Sequence, residues 1–146
     1  MATKFSELRP LIRSILGDTN PSALVYSDHT IDNHIRLIIL SGDNSDIQES
    51  DPRVDPPVFT EDLSSQEKAT IVFKAARGVI SFIPNEFAYQ TPVMKVRRKG
   101  VVSQILANID RNLSDIEGMP ISSENEIEAY VNAWNKFYDQ LAEAQV

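Results

Sequence analysis

His29 and His34 are the side chains best suited to holding a metal or moving a proton near neutral pH. They stand five positions apart, which on a helix separates them by about 140°. They cannot share an ion as an i, i+4 pair would, so two structural histidines are expected. The acidic stretch that opens Asp43-Asn44-Ser45-Asp46 offers oxygen ligands for calcium. No twelve-residue window within it places a glycine sixth and a glutamate twelfth, as a calcium loop requires. With no cysteine there is no thiol nucleophile, disulfide or thiolate zinc site. Neither a glycine-rich phosphate loop nor a Gly-x-Ser-x-Gly elbow occurs. The carboxylates cluster in a proline-rich loop or on polar helix faces, not as two acids held in different environments by a cleft. The expectation is a protein that is not an enzyme and needs no cofactor or metal. Asn112-Leu113-Ser114 matches the glycosylation triplet, but Leu113 falls on an apolar helical stripe, which makes the match a coincidence.

What remains is the chemistry of binding. Lys95, Arg97, Arg98 and Lys99 form the one basic cluster, able to grip phosphates or an acidic protein surface. A net charge of −7 argues against a dedicated nucleic-acid binder and toward a protein partner. Tyr130, Trp134, Phe137 and Tyr138 gather four aromatics near the C-terminus, and Leu141 continues their helical spacing. Such a face is either core or an anchor that docks into another subunit, and in an oligomer it can be both. From Asp43 to Glu67 eight acids face one base, Arg53, a local balance of −7 equal to that of the whole chain. Pro52, Pro56 and Pro57 break any helix there, so an exposed, solvated acidic loop is expected, with Asp43, Asp46, Glu49, Asp51 and Asp55 as its partner-facing charges.

These residues need elements to position them. At 146 residues with 42% hydrophobic side chains, a single domain over 1–146 is expected. Phe5, Leu8, Leu11, Ile12, Ile15 and Leu16 recur at helical spacing, with Ser6 as the expected cap, Pro10 as a kink and Gly17 as the stop. Ser27 caps a second helix whose stripe is Ile31, Ile35, Ile38 and Ile39, widened by Leu37 and Leu40 and stopped at Gly42. Ser64 and Glu67 make a capping box for a third helix running to about Phe82. Its polar stripe is thin, which marks it as central, and Gly78 inside it fits either a neighbour's close approach or simple tolerance. Between Asn85 and Lys99 the alternation of Phe87, Tyr89 and Thr91 reads as one or two short strands or an extended arm. A fourth helix carries Val102, Ile105, Leu106, Ile109, Leu113 and Ile116 and closes at Gly118 and Pro120. Ser123 and Glu126 form a second capping box ahead of a fifth helix with the aromatic face.

The expected fold is therefore mainly α: about five helices in a small bundle, with a short extended or β segment near residues 86–97. A helical body over 4–118 carries an acidic loop at 43–63, and an aromatic helix spans 123–144. MATKFSELRP lacks a signal pattern, and the longest apolar run, Leu37 to Leu40, is far below the roughly 20 residues of a membrane span. A soluble, untargeted chain that does not enter membranes is expected.

Leu8-Arg9-Pro10 with Arg13, then Leu16-Gly17-Asp18-Thr19-Asn20, then Tyr26-Ser27-Asp28 and a second helix resemble the start of head-to-tail connector proteins of tailed bacteriophages, also called adaptor or head-completion proteins. The likeness covers roughly residues 5 to 41, and beyond it only size and helical character agree. It implies a small helical virion protein of the neck, assembled in the host bacterial cytoplasm as a homo-oligomeric ring, commonly twelve-fold. The ring would sit below the portal protein, ahead of a tail or stopper protein, with DNA passing through its channel without sequence-specific binding. On that reading Tyr130, Trp134, Phe137, Tyr138 and Leu141 dock on the portal, while Phe87, Tyr89, Arg97, Arg98 and Lys99 touch a neighbouring subunit or partner. The acidic Asp43 to Glu67 excursion and the Asn85 to Lys99 segment depart from the shorter connectors. Two other readings stand beside it: a small acidic regulatory or inhibitory protein that binds its partner through the acidic loop, and a helical DNA-binding module using Arg97 to Lys99.

Overall fold

A glutamate reaching backward opens the first helix, α1 (Phe5–Leu16): the Glu7 carboxylate accepts the Lys4 N–H at 2.7 Å. The cap is thus Lys4, not the expected Ser6, because the longer side chain already satisfies the free donor. The helix continues through Pro10, and Ser14 donates its hydroxyl to the Pro10 carbonyl at 3.0 Å. It ends at Gly17, whose φ of 71° is left-handed and lets the Asp18 N–H return to the Arg13 carbonyl at 2.9 Å. The computed structural model describes residues 2–19, 21, 22, 24, 26–41, 47–51, 53, 56–81 and 102–144, with every side chain except those of Val102 and Leu141 to Ala144. The expected extended segment at 86–97, with Phe87, Tyr89, Arg97, Arg98 and Lys99, lies outside the described residues, as do Gly42, Asp43, Asp46 and Asp55.

Ser27 caps α2 (Asp28–Ser41), accepting the Thr30 N–H at 3.1 Å. Ile31, Asp32 and Ile35 are buried, and Ile38 and Ile39 pack at the edge of the core. Leu37 and Leu40, expected to widen this stripe, are 52% and 83% exposed. They lie about 200° and 140° around the helix from Ile35, on its outer face.

The expected capping box of α3 (Ser65–Ser81) is present: Ser64 N–H donates to Glu67 Oε1 at 2.9 Å, and Glu67 N–H donates to Ser64 Oγ at 3.1 Å. As its thin polar stripe implies, α3 is central and packs against α1, α2 and the next helix, α4 (Val102–Gly118). Ala69, Ile71, Val72, Phe73, Ala75, Ala76, Val79 and Ile80 are all buried in it. Gly78 marks the close approach that its place in a helix suggested, since a Cβ there would stand 2.9 Å from Nδ1 of His34. Gly78→Ala should therefore destabilise the protein, because the gain of about 1 kcal/mol in helix propensity is smaller than the roughly 1–3 kcal/mol of overpacking. In a His34→Ala background the same change should stabilise. Urea denaturation of the four proteins in this cycle tests the contact, and equal effects in both backgrounds would remove it.

The last helix, α5 (Glu124–Ala144), returns along α1. Its N-terminus differs by one position from the expected Ser123 box: Glu126 accepts the N–H of Ser122 at 3.1 Å and its hydroxyl at 3.3 Å. The described residues are mainly helical, in five helices arranged as a small bundle. Their extended pairing is limited to two isolated antiparallel bridges, Lys4 with Val58 and Glu49 with Phe59.

Those bridges correct the picture of the acidic segment as a wholly exposed excursion. Phe59 N–H donates to the Thr3 carbonyl at 2.9 Å, Thr3 N–H to the Glu61 carbonyl at 3.1 Å, and Leu63 N–H to Thr3 Oγ1 at 2.8 Å. Phe59 and Leu63 are buried, and the Phe59 ring lies 4.6 Å from that of Phe5. Apolar anchors at 59 and 63 thus tie the loop's second half to the start of the chain.

Candidate functional site

Five of the residues that carry the connector resemblance, Arg9, Arg13, Asp18, Tyr26 and Asp28, meet in one clasp between α1, the following loop and α2. Arg9 makes a two-pronged contact with Asp32, Nε to Oδ1 at 2.9 Å and Nη2 to Oδ2 at 2.7 Å. One turn further, Arg13 reaches three oxygens: Nη1 donates to Asp18 Oδ2 at 2.8 Å and to the Tyr26 carbonyl at 2.9 Å, and Nη2 donates to Asp28 Oδ1 at 2.8 Å. Asp18 Oδ2 also accepts the Tyr26 N–H at 3.1 Å. The planar guanidinium suits such sites because its fixed fork meets several acceptors at once. The side chains of Asp18 and Asp32 are only 2% and 6% exposed, so these pairs are internal.

Four-residue spacing places Arg9 and Arg13 on the same side of α1, and the stop at Gly17 swings Asp18 back beneath Arg13. Asp32 was missed from the sequence alone. The available signal was an aspartate on the otherwise apolar Ile31, Ile35 stripe, which requires a buried partner. Chemically the clasp is saturated: its carboxylates are engaged by arginine, and it holds helices together.

The Arg13 hydrogen bond holds the Asp28 carboxyl below its ordinary value of 3.8, with Arg9 adding to the effect and partial burial opposing it. A depressed folded-state pKa means this contribution is present above the ordinary value and is lost as pH falls through the lower folded value. Urea midpoints of the wild type and Asp28→Asn should therefore differ most above pH 4 and converge in stronger acid. A constant gap at every pH would show that Asp28 does not titrate against Arg13.

The C-terminal aromatics divide into two groups. Trp134 is 0% exposed and Tyr138 9%, so their expected role as portal anchors is corrected: the chain's own core encloses both. Trp134 Nε1 donates to Asn112 Oδ1 at 3.2 Å, and the Tyr138 hydroxyl donates to the Ile15 carbonyl. Burial, with Tyr26 nearby, pushes the Tyr138 hydroxyl well above its ordinary pKa. Tyr130 and Phe137 are half-buried, edge-on to Phe73 and Trp134 at 5.9 and 5.0 Å. Leu141 lies in α5, and its side chain is outside the described residues.

Among the acidic-loop residues, Glu49 is not a solvated charge. Arg36 donates to both its oxygens, at 2.8 and 3.1 Å, and its side chain is 8% exposed. The same guanidinium lies 5.6 Å from the Phe5 ring centre, and the Glu49 hydrogen bond pushes the Arg36 pKa up. Asp51 accepts the backbone N–H of Arg53 at 3.0 Å and its Nε at 3.3 Å.

The histidines go to separate places: His29 Nε2 meets Asn33 Nδ2 at 3.2 Å, while His34 packs on Gly78. No three His, Cys, Asp or Glu side chains among the described residues are grouped to hold a metal ion. No described helix is long and apolar enough to cross a membrane.

Among the described residues, two concavities bear on binding. A pocket of about 170 Å³ between α1 and α5 is lined by Glu7, Leu11, Lys68, Glu124 and Glu128, with Lys68 bound to Glu124 at 2.6 Å. An open groove of about 610 Å³ runs along the end of α4 and the start of α5, past Asp115, Met119, Ile121, Glu126, Ala129 and Tyr130.

Among the described residues the fold and clasp together define a mainly α bundle of five helices with an arginine-pinned N-terminal half. No family model, no characterised protein and no solved structure matches the chain.

Proposed function

We propose that this protein is a non-enzymatic head-to-tail connector of a tailed bacteriophage, forming a homo-oligomeric ring in the virion neck between the portal and a tail or stopper protein. The observation supporting this reading is the convergence of the resemblance: Arg9, Arg13, Asp18, Tyr26 and Asp28 all belong to one clasp. These five are among the twelve residues on which the sequence likeness rests, and they share one physical task. A ring subunit must present the same surfaces at the same angle in every copy, and a pinned α1–α2 pair supplies that rigidity.

Charge is consistent with a conduit for DNA. A wall built from subunits of −7 does not hold phosphates, so a polyanion passes without being captured. With Trp134 and Tyr138 internal, portal contact falls to the edge of the buried face of α5, where Tyr130 and Phe137 are half-exposed. The inhibitor reading rests on free acids in the loop, and Glu49 is already committed to Arg36.

Native mass spectrometry and negative-stain imaging of the protein, alone and mixed with portal rings, test the proposal. Rings that form, or that cap the portal, are expected. A protein that stays monomeric at every concentration and ignores portal rings would overturn it.

A further inference from the structure

Subunits of −7 repel one another, so a ring of this chain needs an attractive contact between unlike surfaces of adjacent copies. The charge distribution provides one. Lys95, Arg97, Arg98 and Lys99 place four positive charges within five positions, while residues 102–144 carry eight acids against Arg111 and Lys136, a balance of −6. Within that acidic hairpin lies the open groove, with Asp115 and Glu126 on its rim, Met119 78% exposed, and an apolar lining of Ile121, Ala129 and Tyr130. Resting on the ring reading, we infer that this groove seats the Lys95–Lys99 run of the neighbouring copy.

The chemistry of the run fits the groove. Val96 sits between two cations, and the aliphatic stems of Lys and Arg cover apolar surface while their heads remain at an acidic rim. The groove's volume of about 610 Å³ accommodates several side chains.

The distance along the chain favours a second copy over self-occupation. Along α4 the groove begins at Ser114 and ends at Gly118, about 18 and 24 Å from Val102 at 1.5 Å per residue. Fully stretched from Val102, the Cα of Arg98 reaches about 14 Å and that of Lys99 about 11 Å. A second copy can lay all four cations along the groove, whereas within one copy the backbone span to Arg98 and Lys99 stops short of it. A contact between run and groove of different copies is heterologous, the type that propagates head to tail and closes into a ring.

Two charge-reversed proteins, Arg97→Glu/Arg98→Glu and Asp115→Lys/Met119→Lys, test this by native mass spectrometry and light scattering at low and high salt. Asp115 and Met119 are exposed, and each protein is first checked for the wild-type melting transition. Where melting changes, Arg98→Gln and Asp115→Asn give a milder form of the same test. Each reversed protein alone should assemble at least tenfold more weakly than the wild type. Mixed one to one they should assemble again, because the two introduced glutamates of one run meet the two introduced lysines of the other groove, and the unchanged basic run meets the unchanged acidic groove around the ring. High salt should weaken the wild-type assembly.

If the wild type and both variants form rings equally, the inference fails and the ring reading stands. Loss in each variant without rescue on mixing also overturns it, since run and groove then do not meet. A wild type that is monomeric under all conditions removes the ring reading and this inference together.

Discussion

Trp134→Ala is expected to destabilise the protein by about 3–5 kcal/mol, the cost of emptying a large buried aromatic site. The indole is fully enclosed and packs against Phe137 and Tyr138 at ring separations of 5.0 and 5.7 Å. Its Nε1–H is also the donor held by Asn112 Oδ1, so truncation leaves a buried acceptor without that partner. A domain of this size is stable by about 5–15 kcal/mol in total, and such a loss brings it close to the threshold. Urea denaturation measures the effect, with Asn112→Ala as the companion that removes the hydrogen bond but keeps the ring. An unchanged midpoint combined with lost portal binding would reinstate Trp134 as a docking anchor.

For Arg13→Ala a loss of about 3 kcal/mol is expected, because it strands a carboxylate inside the protein. Asp18 has a side-chain exposure of 2% and would keep the Tyr26 N–H but lose its guanidinium. The Asp28 arm of the same arginine contributes far less, since that carboxylate is 61% exposed and screened by water. Asp28→Ala should therefore cost well under 1 kcal/mol, and Arg13→Ala/Asp18→Ala less than the sum of its single changes. Equal losses for Asp18→Ala and Asp28→Ala in denaturation would mean that the clasp is a surface network and not a buried pin. Because the clasp ties α1 to α2, the proposed connector role predicts that loss of Arg13 also weakens ring formation at temperatures where the chain remains folded.

Periodicity carried the helices. The apolar spacing in α1, α3, α4 and α5 was legible because a helix that buries one face must repeat its apolar residues every three to four positions. The stop at Gly17, the cap at Ser27 and the box of Ser64 with Glu67 were legible because each meets a local backbone need within a few residues. Leu37 and Leu40 misled because an apolar run gives no direction: four consecutive large side chains cannot all face one core. The Ser6 and Ser123 caps misled by small shifts, since Lys4 with Glu7 and Ser122 with Glu126 provided a competing local solution.

Local order and composition were thus determined by the sequence itself: the helices, the stop at Gly17, the starts at Ser27 and Ser64, the absence of thiol chemistry, and the acidic balance. Tertiary structure alone decided which charges and aromatics are spent inside. It paired Arg9 with Asp32 across 23 positions, Arg36 with Glu49 across 13, and Trp134 with Asn112 across 22. It also put Trp134 and Tyr138 of the aromatic face into the core and left Tyr130 and Phe137 at its edge. The physical reason is that burial and ion pairing depend on which surfaces meet, and residues far apart in the chain meet only once the helices have packed.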